Sequence, residues 1–322
     1  MRVLIFGSGV IGRIYAARFL AAGLEVVVLS RGAAADQLRQ TGIVLRKGQR
    51  TAETVFPRIV ENTVEAGPID IALVTVRGDQ VDAALLHIAS IQARVVASLV
   101  NLPRGLDTLA EAVGPDRFVA AFPGVAGRLD NDGIVTYIEV PQQPTMVGLS
   151  SSGATDTSSP QGEVLALLKS AGFPTATTLR MPAWLQTHAI FIAAFESAIA
   201  ATGDVMVLAA DRSAVRNLVQ AVREGFAALE ARGTTTTPPV LRVLFLRMPV
   251  WFATTYWCRQ LRGELGRLGL APHAISSRHT ELPALQHVVR ALLAGANTPK
   301  LESIFAGVMS QDIGDSSASL DR

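Results

Sequence analysis

The feature that most constrains this chain is a glycine-rich turn directly after a short apolar segment. Residues 3–6 are apolar, and the next six residues, Gly7-Ser8-Gly9-Val10-Ile11-Gly12, fit G-x-G-x-x-G and lead into a helical pattern. In a strand–turn–helix unit of this kind, the first glycine permits the tight turn and the second lets a phosphate approach the backbone. The third lets helix and strand pack closely. We therefore expect Gly7, Ser8, Gly9, Val10, Ile11 and Gly12 to bind a pyrophosphate at the start of the helix.

The first 150 residues alternate short apolar runs with helical segments. Runs at 25–29, 71–76 and 95–100 are separated by helical patterns. This pattern predicts parallel strands that are buried on both faces and joined by crossover helices. Additional strands are predicted at 43–66, 118–122, 134–140 and 145–149. In this setting, a glycine turn that merely links a strand to a helix is the less favoured interpretation.

A polar stretch at 150–160 marks a boundary, after which we expect only helices. The helical patterns lie at 162–171, 183–201, 212–232, 240–267 and 281–294. We predict an α/β Rossmann-type N-terminal domain over residues 1–150, followed by an all-α C-terminal domain over residues 161–322. The length of 322 residues agrees with two domains, at roughly 150 residues each.

Composition excludes several classes of protein. Hydrophobic residues make up 49% of the chain and charged residues 17%, which excludes disorder. A net charge of +2 is too small an excess to indicate the clustered basic face that nucleic-acid binding needs, so we expect no nucleic-acid partner. No stretch of 18 residues is apolar and uncharged, and we expect no stable membrane insertion and a cytoplasmic location. With a single cysteine, Cys258, and no H-E-x-x-H motif, we expect no metal site.

The end of the second predicted strand bears on cofactor choice. That strand ends in Leu29-Ser30-Arg31, and the next acidic residue along the chain is Asp36. An NAD site normally has Asp or Glu here to bind the ribose hydroxyls, whereas a hydroxyl and a guanidinium suit the 2′-phosphate of NADP. We therefore predict NADP(H) as the cofactor, with Arg31 at its 2′-phosphate.

Further motifs, together with the glycine turn and Arg31, are typical of a known protein family. The octapeptide Leu73-Val74-Thr75-Val76-Arg77-Gly78-Asp79-Gln80 is similar to L-V-T-x-K-x-x-Q, and a predicted strand ends at Asn101. Near the C-terminus, Arg278-His279-Thr280-Glu281-Leu282 is similar to R-x-T-E-I. With the glycine turn and Arg31, these segments resemble the ketopantoate reductase family, the NADPH-dependent 2-dehydropantoate 2-reductases.

The resemblance implies a fold, a reaction and residue roles. It implies a Rossmann domain followed by a helical domain, with the keto-acid substrate bound between them. It also implies reduction of 2-dehydropantoate (ketopantoate) to pantoate, in pantothenate biosynthesis, with a hydride from NADPH. Asn101 would orient substrate and cofactor, Glu281 would bind the substrate hydroxyl, and Arg77 would keep a cation for a phosphate or carboxylate. An apolar helical domain is also compatible with a homodimer.

One position departs from the family in a way that bears on the chemistry. The family's catalytic lysine lies in W-x-K, and here the motif is Trp184-Leu185-Gln186. Gln186 can donate a hydrogen bond to an oxyanion but has no titrating proton to give. His188 is a candidate substitute acid, although a histidine hydrogen-bonded within helix packing is the alternative. Two further functions therefore stay open: a relative acting on a different carbonyl or imine compound, and a non-catalytic NADP(H)-binding protein.

Overall fold

The structure is a computed structural model that describes residues 1–150 and 153–318. Ser151 and Ser152 of the predicted linker, and residues 319–322 of the predicted second domain, lie outside the described residues. The chain divides into two compact units, Met1–Met181 and Pro182–Arg322. The first unit is mixed α/β and the described part of the second is helical, which confirms the predicted fold class.

Two sheets form the framework of the first unit. Its strands are β1 (Arg2–Phe6), β2 (Glu25–Leu29), β3 (Ile43–Lys47), β4 (Glu53–Val55), β5 (Arg58–Val60), β6 (Ile69–Val74), β7 (Ala93–Ser98), β8 (Phe118–Phe122), β9 (Val125–Leu129), β10 (Ile134–Glu139), β11 (Thr145–Gly148) and β12 (Thr175–Thr178). The larger sheet has the order β12-β11-β8-β7-β6-β1-β2-β5, and the smaller has the order β4-β3-β10-β9. Strands β2, β1, β6 and β7 pair in parallel. The strand order reverses beside β1, and parallel sheets bind ligands at the carboxyl edge of such a reversal.

Helices cover both faces of the larger sheet. Those of the first unit are α1 (Val10–Ala21), α2 (Ala33–Thr41), α3 (Thr63–Ala66), α4 (Val81–Ala89), α5 (Leu106–Val113) and α6 (Pro160–Ser170), with 3₁₀ turns at Gly78–Gln80 and Pro115–Arg117. Side chains alternate along β1: Val3 and Ile5 pack with Phe19 of α1, whereas Leu4 and Phe6 pack with Ile88 of α4. Because both faces are buried, the strand is continuously apolar rather than alternating. Helix α1 also packs against β3, β9 and β10 of the smaller sheet.

The boundary between the units lies later than the predicted linker. Helix α6 and strand β12, which fall within the predicted helical domain, belong to the first unit. Strand β12 extends the larger sheet by pairing in parallel with β11. Leu167 and Leu168 of α6 and Phe173 after it are buried in the same core cluster as Val3. A polar stretch separates α6 from the strands in sequence, but the apolar face of α6 needs the sheet to bury it.

The described part of the second unit is built from helices around an aromatic core. They are α7 (Met181–Thr202), α8 (Val205–Ala210), α9 (Arg212–Ala231), α10 (Pro239–Arg242), α11 (Val250–Arg262), α12 (Ala271–Ser277), α13 (Glu281–Leu292) and α14 (Pro299–Ala318), with π-helical turns at Val243–Arg247 and Leu265–Leu270. Phe195, Phe226, Phe245 and Trp257 lie in one buried cluster. The single helical pattern predicted over 240–267 is divided at Pro249, since proline lacks the amide that a continuing helix needs. None of the described helices combines the length and apolar character of a membrane-spanning segment.

Candidate functional site

The carboxyl ends of four parallel strands meet beside the glycine turn. Phe6 of β1 is in register with Leu29 of β2 and Val74 of β6, and Val74 is in register with Ser98 of β7. The segments that follow these strands are therefore neighbours at one edge of the sheet. They hold all of the residues predicted to form the cofactor site: Gly7 to Gly12, Arg31, Arg77 and Asn101.

Glycine is found at the three positions of the turn for different structural reasons. Gly7 has a φ of +115°, a backbone conformation that favours glycine. A Cβ on Gly12 would lie 2.0 Å from the Gly7 carbonyl oxygen and 2.7 Å from Thr75 Oγ1, so the helix could not approach the strand as it does. A Cβ on Gly9 would have no protein atom within 4 Å. Gly12 is thus needed for packing, while Gly9 borders space that a ligand can occupy.

The start of α1 offers a positively polarised surface. Gly9 is the N-cap, no side chain caps the helix, and its first turn carries no acidic residue. The next residue after the motif, Arg13, is buried and donates from Nε to the Ser8 carbonyl oxygen at 2.9 Å. Burial lowers the pKa of the Arg13 guanidinium, which nevertheless stays charged at neutral pH. An uncapped helix start beside a fixed cation suits an anionic group.

The end of β2 contacts the glycine turn and holds an additional acid. The hydroxyl groups of Ser8 and Ser30 are hydrogen-bonded at 2.7 Å. Arg31 is exposed, and within the described residues its side chain forms no ion pair. Because β5 pairs with β2, Glu61 also reaches this end, where its Oε2 lies 3.5 Å from the Gly32 amide. Order along the chain pointed to Asp36 as the nearest acid and missed Glu61.

Glu61 is itself compensated by a cation. Its Oε1 lies 2.9 Å from Arg39 Nη2, and the hydrogen bond from Arg39 lowers the pKa of the Glu61 carboxyl. The carboxylate is therefore ionised at neutral pH, but its charge is shared with Arg39. The sequence indicated no acidic residue close to Arg31, whereas the structure places Glu61 there, paired with Arg39.

Arg77 and Asn101 lie on the loops after β6 and β7. Arg77 forms an ion pair with Asp79, with two nitrogen–oxygen distances of 3.1 Å. Asn101 Oδ1 is buried and has no hydrogen-bond partner within the described chain. A Cβ on Gly78 would lie 3.1 Å from the Asn101 carbonyl oxygen, so the two loops approach closely. A buried amide oxygen without a partner is costly unless a ligand donates to it.

These features fit a bound dinucleotide. An uncapped helix start can hold a pyrophosphate, the open space beside Gly9 leaves room for one, and the buried Oδ1 of Asn101 can accept a hydrogen bond. Fold and site together define a dinucleotide-binding protein of the Rossmann class.

The helical unit holds the other predicted residues. Gln186 is half-buried on α7, and His188 on the same helix is buried and stacked on Trp184, with ring centroids 5.0 Å apart. Burial, with a smaller effect from the charge of His273, lowers the pKa of His188 to about 3. His188 is therefore neutral at neutral pH and lacks the acidic proton of an imidazolium, which does not fit the predicted role of substitute acid.

Glu281 is the first residue of α13 and belongs to a charged group that the sequence did not reveal. His273 Nδ1 lies 2.6 Å from Glu196 Oε1, and His273 Nε2 lies 3.3 Å from Glu281 Oε2. The three residues come from α7, α12 and α13. Glu196 and His273 are 77 residues apart, so no local motif could have indicated the pair.

Comparisons with known proteins agree with this class. Residues 3–152 match the family model described as ketopantoate reductase PanE/ApbA. The chain is similar in structure to a 2-dehydropantoate 2-reductase from Geobacter metallireducens, with a TM-score of 0.75, 18% identity, and coverage of 97% of this chain and 100% of that one. A D-mandelate dehydrogenase solved with NADH and anilino(oxo)acetate has a TM-score of 0.74 at 15% identity, with coverage of 98% and 99%. A PanE/ApbA family ketopantoate reductase from Ralstonia eutropha has a TM-score of 0.72 at 20% identity, with coverage of 96% and 97%.

No curated protein sequence matches the chain. At these identities, the similarity to solved structures shows the shared fold. The match to the family model covers just under half of the chain, and it shows that the first unit contains a region similar to the ketopantoate reductase family. This is a family of nicotinamide-dinucleotide oxidoreductases, and the predicted family resemblance is confirmed.

Proposed function

We propose that this chain is an NADPH-dependent reductase of a small 2-keto acid. The observation that carries the proposal is the grouping, at one sheet edge, of the glycine turn, Arg31 and the amide oxygen of Asn101. Among the described residues, Arg31 forms no ion pair and Asn101 Oδ1 has no hydrogen-bond partner. Arg31 follows the strand whose end determines the choice between NAD and NADP in this fold, and it is available to a 2′-phosphate.

Each part of the site has a proposed role. When bound, NADPH supplies a hydride to the carbonyl carbon of the substrate. Gly9 and the start of α1 hold its pyrophosphate, and Asn101 orients it through Oδ1. Gln186 donates a hydrogen bond to the oxygen on which negative charge develops, and Glu281 accepts one from a substrate hydroxyl.

The proposed substrate is 2-dehydropantoate, reduced to pantoate. Two relatives with the same fold bear names that point to this chemistry: a 2-dehydropantoate 2-reductase, and a D-mandelate dehydrogenase, whose named substrate is a 2-hydroxy acid. The test is oxidation of NADPH, followed by absorbance, with ketopantoate and a panel of aliphatic and aromatic 2-keto acids. We expect turnover of at least one 2-keto acid, and failure across the panel would contradict the reductase.

Cofactor choice is tested by Arg31→Ala. We expect the variant to bind NADPH about tenfold or more weakly, because a charge-assisted phosphate contact is lost, while its affinity for NADH changes little. Binding is measured by fluorescence titration, so that the result does not depend on turnover. Arg50→Ala, also an exposed arginine, is the control and leaves both affinities unchanged. Equal loss for both cofactors in Arg31→Ala would contradict the preference for NADP.

A second candidate, a reductase of a different carbonyl or imine compound, is favoured by one observation. Ile190, where the family has an asparagine, is fully buried on α7. A Cβ on Gly225 of α9 would lie 2.5 Å from Ile190 Cγ2, so this residue serves helix packing rather than substrate binding. For this candidate, Gln186→Lys does not raise ketopantoate turnover, because more than one polar group differs. A rise of tenfold or more would favour ketopantoate, whereas tight NADPH binding without any turnover would indicate a non-catalytic protein.

A further inference from the structure

The helical unit contains an imidazole held between two carboxylates. His273 Nδ1 lies 2.6 Å from Oε1 of Glu196, and Nε2 lies 3.3 Å from Oε2 of Glu281. Glu196 is almost fully buried, whereas 44% of the His273 side chain and 15% of the Glu281 side chain are exposed. The row therefore runs from a buried carboxylate, through a histidine that water can reach, to the glutamate that begins α13.

Glu196 has few other interactions to satisfy. Its Oε2 is buried and has no hydrogen-bond partner within the described residues. A buried carboxylate is expensive unless a cation compensates it, so the pairing favours the protonated form of His273. Accordingly, the charge of Glu196 raises the pKa of His273 well above the usual 6.5, with a smaller effect from Glu281. At neutral pH His273 carries a proton on each ring nitrogen.

We propose that His273 is a positioning and proton-relay residue that acts through Glu281, with Glu196 orienting its imidazole. This proposal rests on the proposed function, in which Glu281 contacts the substrate. Reduction of a ketone needs one hydride and one proton, and Gln186 has no proton to give. The Glu281 carboxylate takes the Nε2 proton of His273 on its Oε2 and passes it to the new alkoxide oxygen, so one N–H bond breaks and one O–H bond forms on the product. Water then returns a proton to the exposed imidazole, so the chain's own groups end as they began.

In catalytic triads, a buried carboxylate orients an imidazole and stabilises its charged form, and Glu196 is placed to do the same for His273. Here the second nitrogen faces a carboxylate rather than a nucleophile. Other titratable groups on the elements around His273 are His188 on α7, which is neutral, Glu264, Arg267, Arg278 and His279 on the segments that flank α12, and His287 and Arg290 on α13. Among the described residues, Glu196 and Glu281 are the only carboxylates that form ion pairs with His273.

The first test measures the protonation of His273 between Glu196 and Glu281, and it needs neither cofactor nor turnover. The imidazole of His273 is titrated by NMR in the unaltered protein and in Glu196→Gln. We expect His273 to titrate well above 6.5 in the unaltered protein and at least one pH unit lower in the variant. Titration at the ordinary value in both proteins would show that the row does not hold a charged histidine and would overturn the proposal.

The second test reads the reaction. In His273→Gln we expect kcat to fall about tenfold or more with KM changed less than threefold, because the relay is lost and substrate binding is not. In Glu196→Gln the alkaline fall of kcat should begin at a lower pH, since His273 then loses its proton earlier. A merely structural role for Glu196 would not move this limb. His87→Gln is the matched control, because His87 is exposed on α4 in the first unit.

The outcomes separate this proposal from the one on which it rests. An unaltered protein that reduces a 2-keto acid, with kcat and the alkaline limb unchanged in both variants, overturns the role of His273 alone. An unaltered protein that turns over no 2-keto acid overturns the proposed function, and the relay with it.

Discussion

The side-chain oxygens of Ser8 and Ser30 lie 2.7 Å apart, so a hydrogen bond joins the glycine turn to the end of β2. Ser8 lies in the glycine turn, where we propose that the pyrophosphate binds, and Ser30 immediately precedes Arg31. In Ser30→Ala the bond is lost at a cost of about 1 kcal/mol, and we expect NADPH affinity to fall about fivefold. Fluorescence titration measures this, with Ser170→Ala, an exposed serine at the end of α6, as the control. Unchanged affinity would show that the turn holds its shape without Ser30.

Gly9 and Gly12 should respond differently to the same substitution. In Gly12→Ala the added carbon meets the Gly7 carbonyl oxygen at 2.0 Å, and we expect about 3 kcal/mol of destabilisation and a Tm lower by roughly 6–12 °C. In Gly9→Ala the carbon meets no protein atom within 4 Å, so Tm should hold while NADPH affinity falls about tenfold or more. Thermal denaturation and titration, done on both variants, separate packing from binding. A large loss of Tm in Gly9→Ala would contradict this assignment.

Glu61 should weaken the preference for a phosphorylated cofactor. Its carboxylate lies beside Gly32, the neighbour of Arg31, and is only partly compensated by Arg39. In Glu61→Gln we expect NADPH to bind about two- to threefold more tightly at low salt and NADH to be little affected, because exposed charges interact weakly and are screened. The ratio of the two dissociation constants at low and high salt is the measurement. If the substitution instead weakened NADH strongly, Glu61 would be a ribose ligand.

The buried His188 should make stability depend on pH. Its folded-state pKa of about 3 lies below the unfolded value of 6.5, so the unfolded chain binds the extra proton first as pH falls. Its stabilising contribution is therefore present above pH 6.5 and declines between 6.5 and 3. Relative to His188→Phe, the unaltered protein should lose about 1 kcal/mol of unfolding free energy between pH 7 and 5.5. Chemical denaturation at the two pH values measures the difference, and parallel pH dependence would contradict a buried neutral imidazole.

The first unit was largely predictable because its sequence signals are local. Val3 to Phe6 form one apolar run, Gly7 follows with a positive φ, and Gly12 lies against the Gly7 carbonyl oxygen five residues earlier. Arg31 and Asn101 also lie just after strands that their own sequences indicate. Residues that depend on strand pairing were not visible, as Glu61 shows: it reaches the end of β2 only because β5 is its neighbour in the sheet.

The charged row in the helical unit could not be read from order along the chain. Glu196, His273 and Glu281 come from three helices, and only Glu281 belongs to a motif. Helical periodicity indicates which face of a helix is buried, but it does not indicate which buried faces meet. His188 illustrates the same limit, because a histidine stacked in a core and one poised for catalysis have the same sequence signal.

The segment that matches the family model is shorter than the segment that forms the first compact unit. The family match ends at residue 152, yet the hydrophobic core of the first unit includes Leu167, Leu168 and Phe173. A fragment that ends at residue 152 would leave β11 as an unpaired edge strand. It would also expose to water the apolar surface that α6 covers, and both changes favour aggregation. For this protein, the first compact unit thus extends about thirty residues beyond the matched segment, to Met181.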